Sequence, residues 1–230
     1  MGLGIAGMLA EQGYRAIAIA RKESPELRAL MQQNWEPGCV QFAPFDLADL
    51  EGIPGLVKTL RKEFGPIYGL VNNAGTSVEG TLAMMQDSQI EQAVRLNTLS
   101  LMVMTKSVVR SMMADGGGRI VNISSIVAFT GHSELSVYSA TKASLVGFTR
   151  SLAREMGSLG ITVNAVAPGF MDAEMMPGIK DEQREQIVRR SAQKRLVEME
   201  DVANAVEFLL SHGAKNITGT VMTVDAGSAA

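Results

Sequence analysis

Short apolar runs rich in β-branched and small residues recur along this chain, at 14–20, 40–45, 67–71, 119–123, 161–167 and 220–224. Between them lie stretches with helical spacing, predicted as helices at 5–12, 25–33, 49–64, 87–114, 136–158 and 198–210. This alternation constrains the fold more than any other feature. Continuously apolar strands are buried on both faces, and strands joined through a helix run parallel. The expected architecture is α/β: a three-layer, doubly wound fold with a parallel sheet between two layers of helices. A length of 230 residues suits one such domain, spanning 1–230.

Composition narrows function by exclusion. A net charge of −3 and the absence of a Lys/Arg-rich stripe give no basic footprint for nucleic acid. No apolar run reaches the ~18 residues that suggest a membrane span, and residues 1–5 show no secretory pattern. Cys39 is the single cysteine, so no intrachain disulfide is expected and a reducing compartment fits. With that cysteine and two histidines, no metal site is expected. The 15 methionines fall mostly at helical spacings, where packing is their use.

Chemistry concentrates between Gly118 and Phe148. The strand at 119–123 stops at Ser124-Ser125, and a helix opens near Ser136. On it Tyr138 and Lys142 stand four residues apart, one turn apart on one face. Ser125 can hydrogen-bond a carbonyl, Tyr138 can give or take a proton, and the Lys142 ammonium can favour the phenolate. A free phenol titrates near pH ~10, so a cation beside it is needed to bring it into a working range. The same residues also suit an exposed helix face and a capping Ser pair, and taken alone they leave both readings open.

Tyr138-Ser-Ala-Thr-Lys142, with Ser125 upstream and Asn72-Asn-Ala-Gly75 earlier, resembles the short-chain dehydrogenase/reductase family. The resemblance covers essentially the whole chain, with its motifs in the family's order. It implies a tetrad of Asn97, Ser125, Tyr138 and Lys142. Asn97 would distort its helix and hold a water linking Lys142 to solvent; a tolerated exposed Asn is the alternative. The implied cofactor contacts are Gly2, Leu3 and Gly4 at the pyrophosphate, Asp46 and Leu47 at the adenine, and Asn73, Ala74 and Gly75 at the ribose. Tyr138 and Lys142 would reach the nicotinamide side, with Pro168, Gly169 and Met171 over the ring. Ala173 replaces a Thr often seen there, losing one hydroxyl contact. The Asn side chains at 72 and 73 can brace neighbouring strands. Asp46 can alternatively cap a helix, and Asn72–Gly75 can be a plain turn.

Arg21 and Lys22 follow the strand at 14–20, where an acidic residue would bind a ribose hydroxyl and a basic one accommodates a 2′-phosphate. This favours NADP(H) over NAD(H); two solvated charges are the alternative. In the family a strand and a Thr-Gly pair come ahead of Gly2. The expectation is therefore a sheet lacking its first, central strand, with an open core beside the cofactor.

The segments GRIVNISS, SLARE and ITVNAVAPGF and the Ile217-Thr-Gly219 ending resemble bacterial 3-oxoacyl-(acyl-carrier-protein) reductases. This implies a cytoplasmic, NADPH-dependent reductase of an acyl-thioester or other small carbonyl substrate, with acyl carrier protein as a candidate partner. Basic residues that some of these enzymes use for the carrier match Gly116 and Leu159 here, which weakens docking but not reduction. An alcohol dehydrogenase of another substrate, or a non-catalytic oligomeric homologue with a defective cofactor site, remain alternatives. The resemblance also implies a homodimer or homotetramer, paired through apolar faces at Val94, Leu101, Met104 and Val108 and at Leu145, Phe148 and Leu152. Residues 171–195, polar and Met-rich with a break at Pro177-Gly178, predict a mobile lid over the substrate.

Overall fold

The structure, a computed structural model, describes residues 1–171 and 181–230. Among the described residues six strands form as the apolar runs require: β1 (Arg15–Ala20), β2 (Cys39–Pro44), β3 (Gly69–Asn72), β4 (Gly118–Ile123), β5 (Ile161–Pro168) and β6 (Val221–Val224). All pair in parallel, in two ladders. One is β1-β2 and the other runs β3-β4-β5-β6. No rungs join them, so β1 and β3 each keep an edge with no strand partner among the described residues. Their lower ends are held together by side chains: the Tyr14 and Tyr68 rings stack at 6.1 Å, and Arg15 Nη1 donates to the Phe64 carbonyl at 3.2 Å.

Helices cover both faces because successive strand residues point to opposite sides. On one face, Ile5 and Leu9 of α1 (Gly2–Glu11) and Val202, Val206 and Leu209 of α9 (Met199–Leu210) bury Val121, Ile123 and Val166. On the other, α3 (Ile53–Phe64), α5 (Ser100–Asp115) and α7 (Ser136–Met156) close over Ile120, Ile161 and Val163. Each fully buried aliphatic side chain contributes ~1.5–3 kcal/mol, and β5 is buried along its whole length. The short α2 (Pro25–Met31) packs with α1 over β2 through Leu27, Ala6, Ala10 and Val40. Gly13, at φ +86°, ends α1 in a backbone region that favours glycine.

Three expectations need correction. Helix α3 begins at Ile53, not near 49, because Asp46 Oδ1 and Asp49 Oδ1 take the amides of Ala48 and Gly52 at 2.9 and 3.1 Å and hold the chain in turns. The long helix at 87–114 is three pieces: α4 (Asp87–Val94), a π turn at Arg95–Leu99 that contains Asn97, and α5. The apolar face assigned to subunit pairing is largely core. Leu101, Met104, Val108 and Leu145 are buried within this chain, while Val94, Leu99 and Met113 are the exposed apolar residues on those helices. Two short helices, α6 (Val127–Thr130) and α8 (Asp181–Arg190), were not anticipated. Residues 172–180, with Ala173 and the Pro177-Gly178 break, lie outside the described residues; the later part of the expected lid carries α8.

Candidate active site

The C-terminal end of β4 supplies the first group. Ser124 extends the ladder by donating its amide to the Val166 carbonyl at 2.7 Å, and its hydroxyl donates to the Lys142 carbonyl at 2.9 Å. That second bond pins α7 to the strand end. The chain then turns into α6, leaving Ser125 partly exposed, with its hydroxyl accepting the Val127 amide at 3.4 Å.

Tyr138 and Lys142 come from the first turns of α7, as their spacing predicts. Lys142 is 5% exposed, and its ammonium donates to the Ile123 carbonyl at 2.8 Å and stands 5.6 Å from the centre of the Tyr138 ring. Burial lowers its pKa from 10.5 to about 8. The expected depression of the phenol does not appear. Burial pushes Tyr138 above its ordinary value, and the Ser125 hydroxyl pulls it back part of the way. Desolvation outweighs the Ser125 hydrogen bond, so at neutral pH the phenol keeps its proton.

Asn97 sits in the π turn, 1% exposed. Its Oδ1 accepts the Thr76 amide at 2.8 Å, while its Nδ2 donates to the Thr76 carbonyl at 2.9 Å and to Thr141 Oγ1 at 3.1 Å. Thr141 Oγ1 in turn donates to the Tyr138 carbonyl at 2.8 Å. One amide thereby joins the loop after β3 to the helix bearing Tyr138 and Lys142. A π turn inserts one residue into the helical ladder and often marks a functional site; here it brings an Asn that a regular helix would disfavour into the interior. A Cβ on Gly75 would meet Asn97 Oδ1 at 3.2 Å and Lys142 Nζ at 3.6 Å, so the Asn-Asn-Ala-Gly turn ends directly beside these two groups.

The remaining predicted residues divide. Gly2 lies against Asn73, since a Cβ there would come within 2.9 Å of Asn73 Nδ2. This places the open first-turn amides of α1 beside the end of β3. Gly4 instead serves packing, because a Cβ would strike Met199 Cγ at 2.6 Å. Leu3 is exposed and Ala74 partly so. Pro168 accepts the Ile126 amide at 3.0 Å, and Gly169 approaches Asp225 so closely that a Cβ would lie 2.8 Å from its Cα. Met171 bridges to Val197. Arg21 and Asp46 are exposed after β1 and β2, on the other ladder from the tetrad, and Leu47 packs into the core beside Ile53. Asp46 makes a turn and caps no helix.

A buried polar relay beneath the site extends what the sequence suggested for Asn72. Its Nδ2 donates to Thr105 Oγ1 at 2.9 Å and to Asn122 Oδ1 at 2.8 Å, directly across the β3–β4 rungs. Asn122 Nδ2 continues to Thr149 Oγ1 at 2.9 Å. Thr141, Ser124, Asn122 and Thr76 were not singled out from sequence. The spacing of Thr141 one residue before Lys142 was the one available signal.

A strand-end hydroxyl facing a partly buried phenol and a buried ammonium, on a parallel sheet with glycine-lined turns at its C-terminal edge, defines an oxidoreductase of the nucleotide-binding α/β class. Comparison with known proteins agrees. A family model described as Enoyl-(Acyl carrier protein) reductase matches residues 1–229, and the chain belongs to the short-chain dehydrogenase/reductase family. It is 36% identical to the 3-oxoacyl-[acyl-carrier-protein] reductase of Vibrio harveyi and 37% identical to that of Escherichia coli K12, in each case over 99% of this chain and 92% of the relative. Among solved structures, a putative short-chain alcohol dehydrogenase from Sinorhizobium meliloti 1021 superposes with a TM-score of 0.92 at 27% identity, covering 98% of this chain and 90% of the other. A tryptophan variant of the actinorhodin polyketide ketoreductase, solved with NADPH, gives 0.89 at 32% identity, covering 99% and 92%. The protein is thus an oxidoreductase similar to the 3-oxoacyl-(acyl-carrier-protein) reductases.

Proposed function

We propose that this chain is an NADPH-dependent ketoreductase that converts a 3-oxoacyl thioester to the 3-hydroxyacyl product. The observation that carries the reading is the convergence of Ser125, Tyr138 and Lys142, with Asn97 turned in beside them by the π turn. The residues present suit a dinucleotide. The glycine floor at Gly75 leaves room beside Lys142, and the α1 amides beside Asn73 suit a pyrophosphate. Arg21 would take the 2′-phosphate, Asp46 and Leu47 the adenine end, and Pro168, Gly169 and Met171 the nicotinamide end. When bound, the nicotinamide supplies the hydride.

The chain's own groups manage the proton and the geometry. Ser125 hydrogen-bonds the substrate carbonyl and fixes its approach. Tyr138, protonated because burial raises its pKa, delivers its proton to the oxygen as negative charge develops there. Lys142, anchored on the Ile123 carbonyl, holds the cofactor ribose and stabilises the phenolate left behind. Asn97 keeps a water in place to return the proton from solvent. Reduction is therefore favoured at neutral pH, and alcohol oxidation, which needs the phenolate, rises at alkaline pH.

A second reading, an alcohol dehydrogenase of another small carbonyl compound, is favoured by one observation: Gly116 and Leu159 stand where some carrier-protein reductases carry basic residues. Acetoacetyl groups presented on acyl carrier protein and on coenzyme A separate the two. A kcat/KM at least about tenfold higher for the carrier form, about 1.4 kcal/mol of transition-state binding, marks a carrier-protein reductase. Equal values point to a free thioester or ketone. We further propose a dimer or tetramer in the cytoplasm, its interface including exposed Val94, Leu99 and Met113. No helix among the described residues is long and apolar enough to cross a membrane.

A further inference from the structure

The N-terminal ends of β4 and β5, at the edge of the sheet opposite Ser125 and Tyr138, floor a cavity of about 500 Å³. Arg119, Gly160, Thr162, Lys215, Asn216 and Thr218 line it. Arg119 and Thr162 are register partners on adjacent strands, so their side chains stand next to each other on the α9 face. Each leaves a buried polar atom without a protein partner: Arg119 Nε and Thr162 Oγ1. Thr162 is only 6% exposed, and a buried polar atom left unpaired costs ~1–3 kcal/mol.

The rest of the lining has the same chemical character. The Arg119 guanidinium is held in place, with Nη1 donating to the Gly118 carbonyl at 3.0 Å and its plane over the Tyr68 ring at 5.8 Å. Tyr68 is fixed in turn by its hydroxyl, which donates to the Leu210 carbonyl at 2.7 Å. Thr218 Oγ1 accepts the Val163 amide at 3.0 Å, which leaves its own hydrogen free to donate. Lys215 is exposed and makes no ion pair among the described residues. Glu207, which together with Arg119 acts on Tyr14, is not part of the lining. The cavity thus offers two cations, two hydroxyls and an orphaned guanidinium N–H, and no carboxylate. The matching ligand is a compact oxyanion with several acceptor oxygens.

We propose that this cavity binds a phosphate group, free or as a phosphomonoester, at a site separate from the active centre. Arg119 and Ser125 are six residues apart along β4, a separation of about 20 Å at strand rise. An anion there clamps the β4 and β5 starts to the turn carrying Lys215, and so stiffens from below the strand that ends in Ser125.

The test is calorimetric titration of the whole chain with inorganic phosphate and, separately, with glycerol phosphate, at constant ionic strength set with chloride. Saturable binding is expected, weakened about tenfold or more by Thr162→Val and by Lys215→Gln, as loss of a charge-assisted or buried hydrogen bond requires. Thr162→Val removes an orphaned hydroxyl and keeps the side-chain shape, so it should fold even where Arg119→Gln does not. Binding of both ligands, or of one of them, identifies which form of phosphate the site takes. Arg21→Ala should leave this binding unchanged. Absence of saturable binding overturns the proposal. So does binding that survives Thr162→Val and Lys215→Gln while being lost in Arg21→Ala, which would place the anion at the nucleotide end.

Discussion

The two ladders of this sheet differ in size and burial, and the groups proposed for proton transfer lie on one while those proposed for cofactor selectivity lie on the other. The β3–β6 ladder is paired through its middle, buried on both faces along β5, and braced by the relay from Asn72 through Asn122 to Thr149. It holds the tetrad. The β1–β2 ladder pairs only within itself, its first strand is half-buried at best, and it carries Arg21 and Asp46. Ser125, Tyr138 and Lys142, which we propose to manage the proton, therefore stand on the larger and more deeply buried ladder, while Arg21 and Asp46, proposed to read the adenosine end, stand on a pair of strands joined to it by helices, by the Tyr14–Tyr68 stack and by the Arg15–Phe64 hydrogen bond.

The four-stranded ladder gives the greatest change. Tyr138→Phe should lower the ketoreduction rate about a thousandfold, within the range general acids supply, while NADPH affinity changes less than threefold in a fluorescence titration. A parallel loss of affinity would mean that the phenol is a binding group and not the acid.

Matched isoleucines sharpen the contrast in stability. Ile120→Ala, fully buried on β4, should cost about 3–4 kcal/mol in urea unfolding, and Ile17→Ala, half-buried on β1, less than about 2 kcal/mol. Equal costs would break the distinction between the ladders.

The buried ammonium gives a smaller, pH-dependent effect. Lys142 titrates at about 8 in the folded chain against 10.5 when free. Between these values the unfolded chain holds the proton more tightly, so stability from this residue rises as pH rises. Tyr138, raised in the folded chain, works in the opposite sense above pH 10. From pH 8 to 10, wild-type stability should gain about 2 kcal/mol relative to Lys142→Met, read as the difference of two urea midpoints multiplied by their slopes. A flat difference would mean that the ammonium is solvated and not buried.

The two-stranded ladder gives the least change. Arg21→Ala should weaken NADPH binding about tenfold, roughly one exposed charge-assisted contact, and leave NADH unchanged. Equal weakening of both would remove the 2′-phosphate role.

Much of this was legible in the residues. The parallel α/β layers followed from apolar runs separated by helical spacing, and Tyr138 and Lys142 fell on one helical face as i, i+4 geometry demands. Asn97 was recognisable as a misfit in a helix, but its π turn was not, because one inserted residue leaves apolar periodicity almost unchanged. The start of α3 was misplaced because Asp46 and Asp49 take backbone amides that a helix would otherwise use, a competition that propensity alone does not resolve. Thr141 escaped notice because a hydroxyl inside a helix is ordinary until its partners, Asn97 and the Tyr138 carbonyl, are known. The apolar stripe on α5 was misassigned to an interface because periodicity shows that a face is buried without showing what buries it.

Whether Tyr138 protonates a reduced carbonyl is settled by a single-turnover mixing experiment. Protein in excess, loaded with NADPH, is mixed with acetoacetyl thioester, and nicotinamide fluorescence is followed alongside the appearance of the 3-hydroxy product. One product per NADPH consumed is expected in wild type, and retained NADPH fluorescence with negligible product in Tyr138→Phe. A folded, NADPH-saturated wild-type chain that forms no product, or a Tyr138→Phe chain that turns over at the wild-type rate, would contradict it.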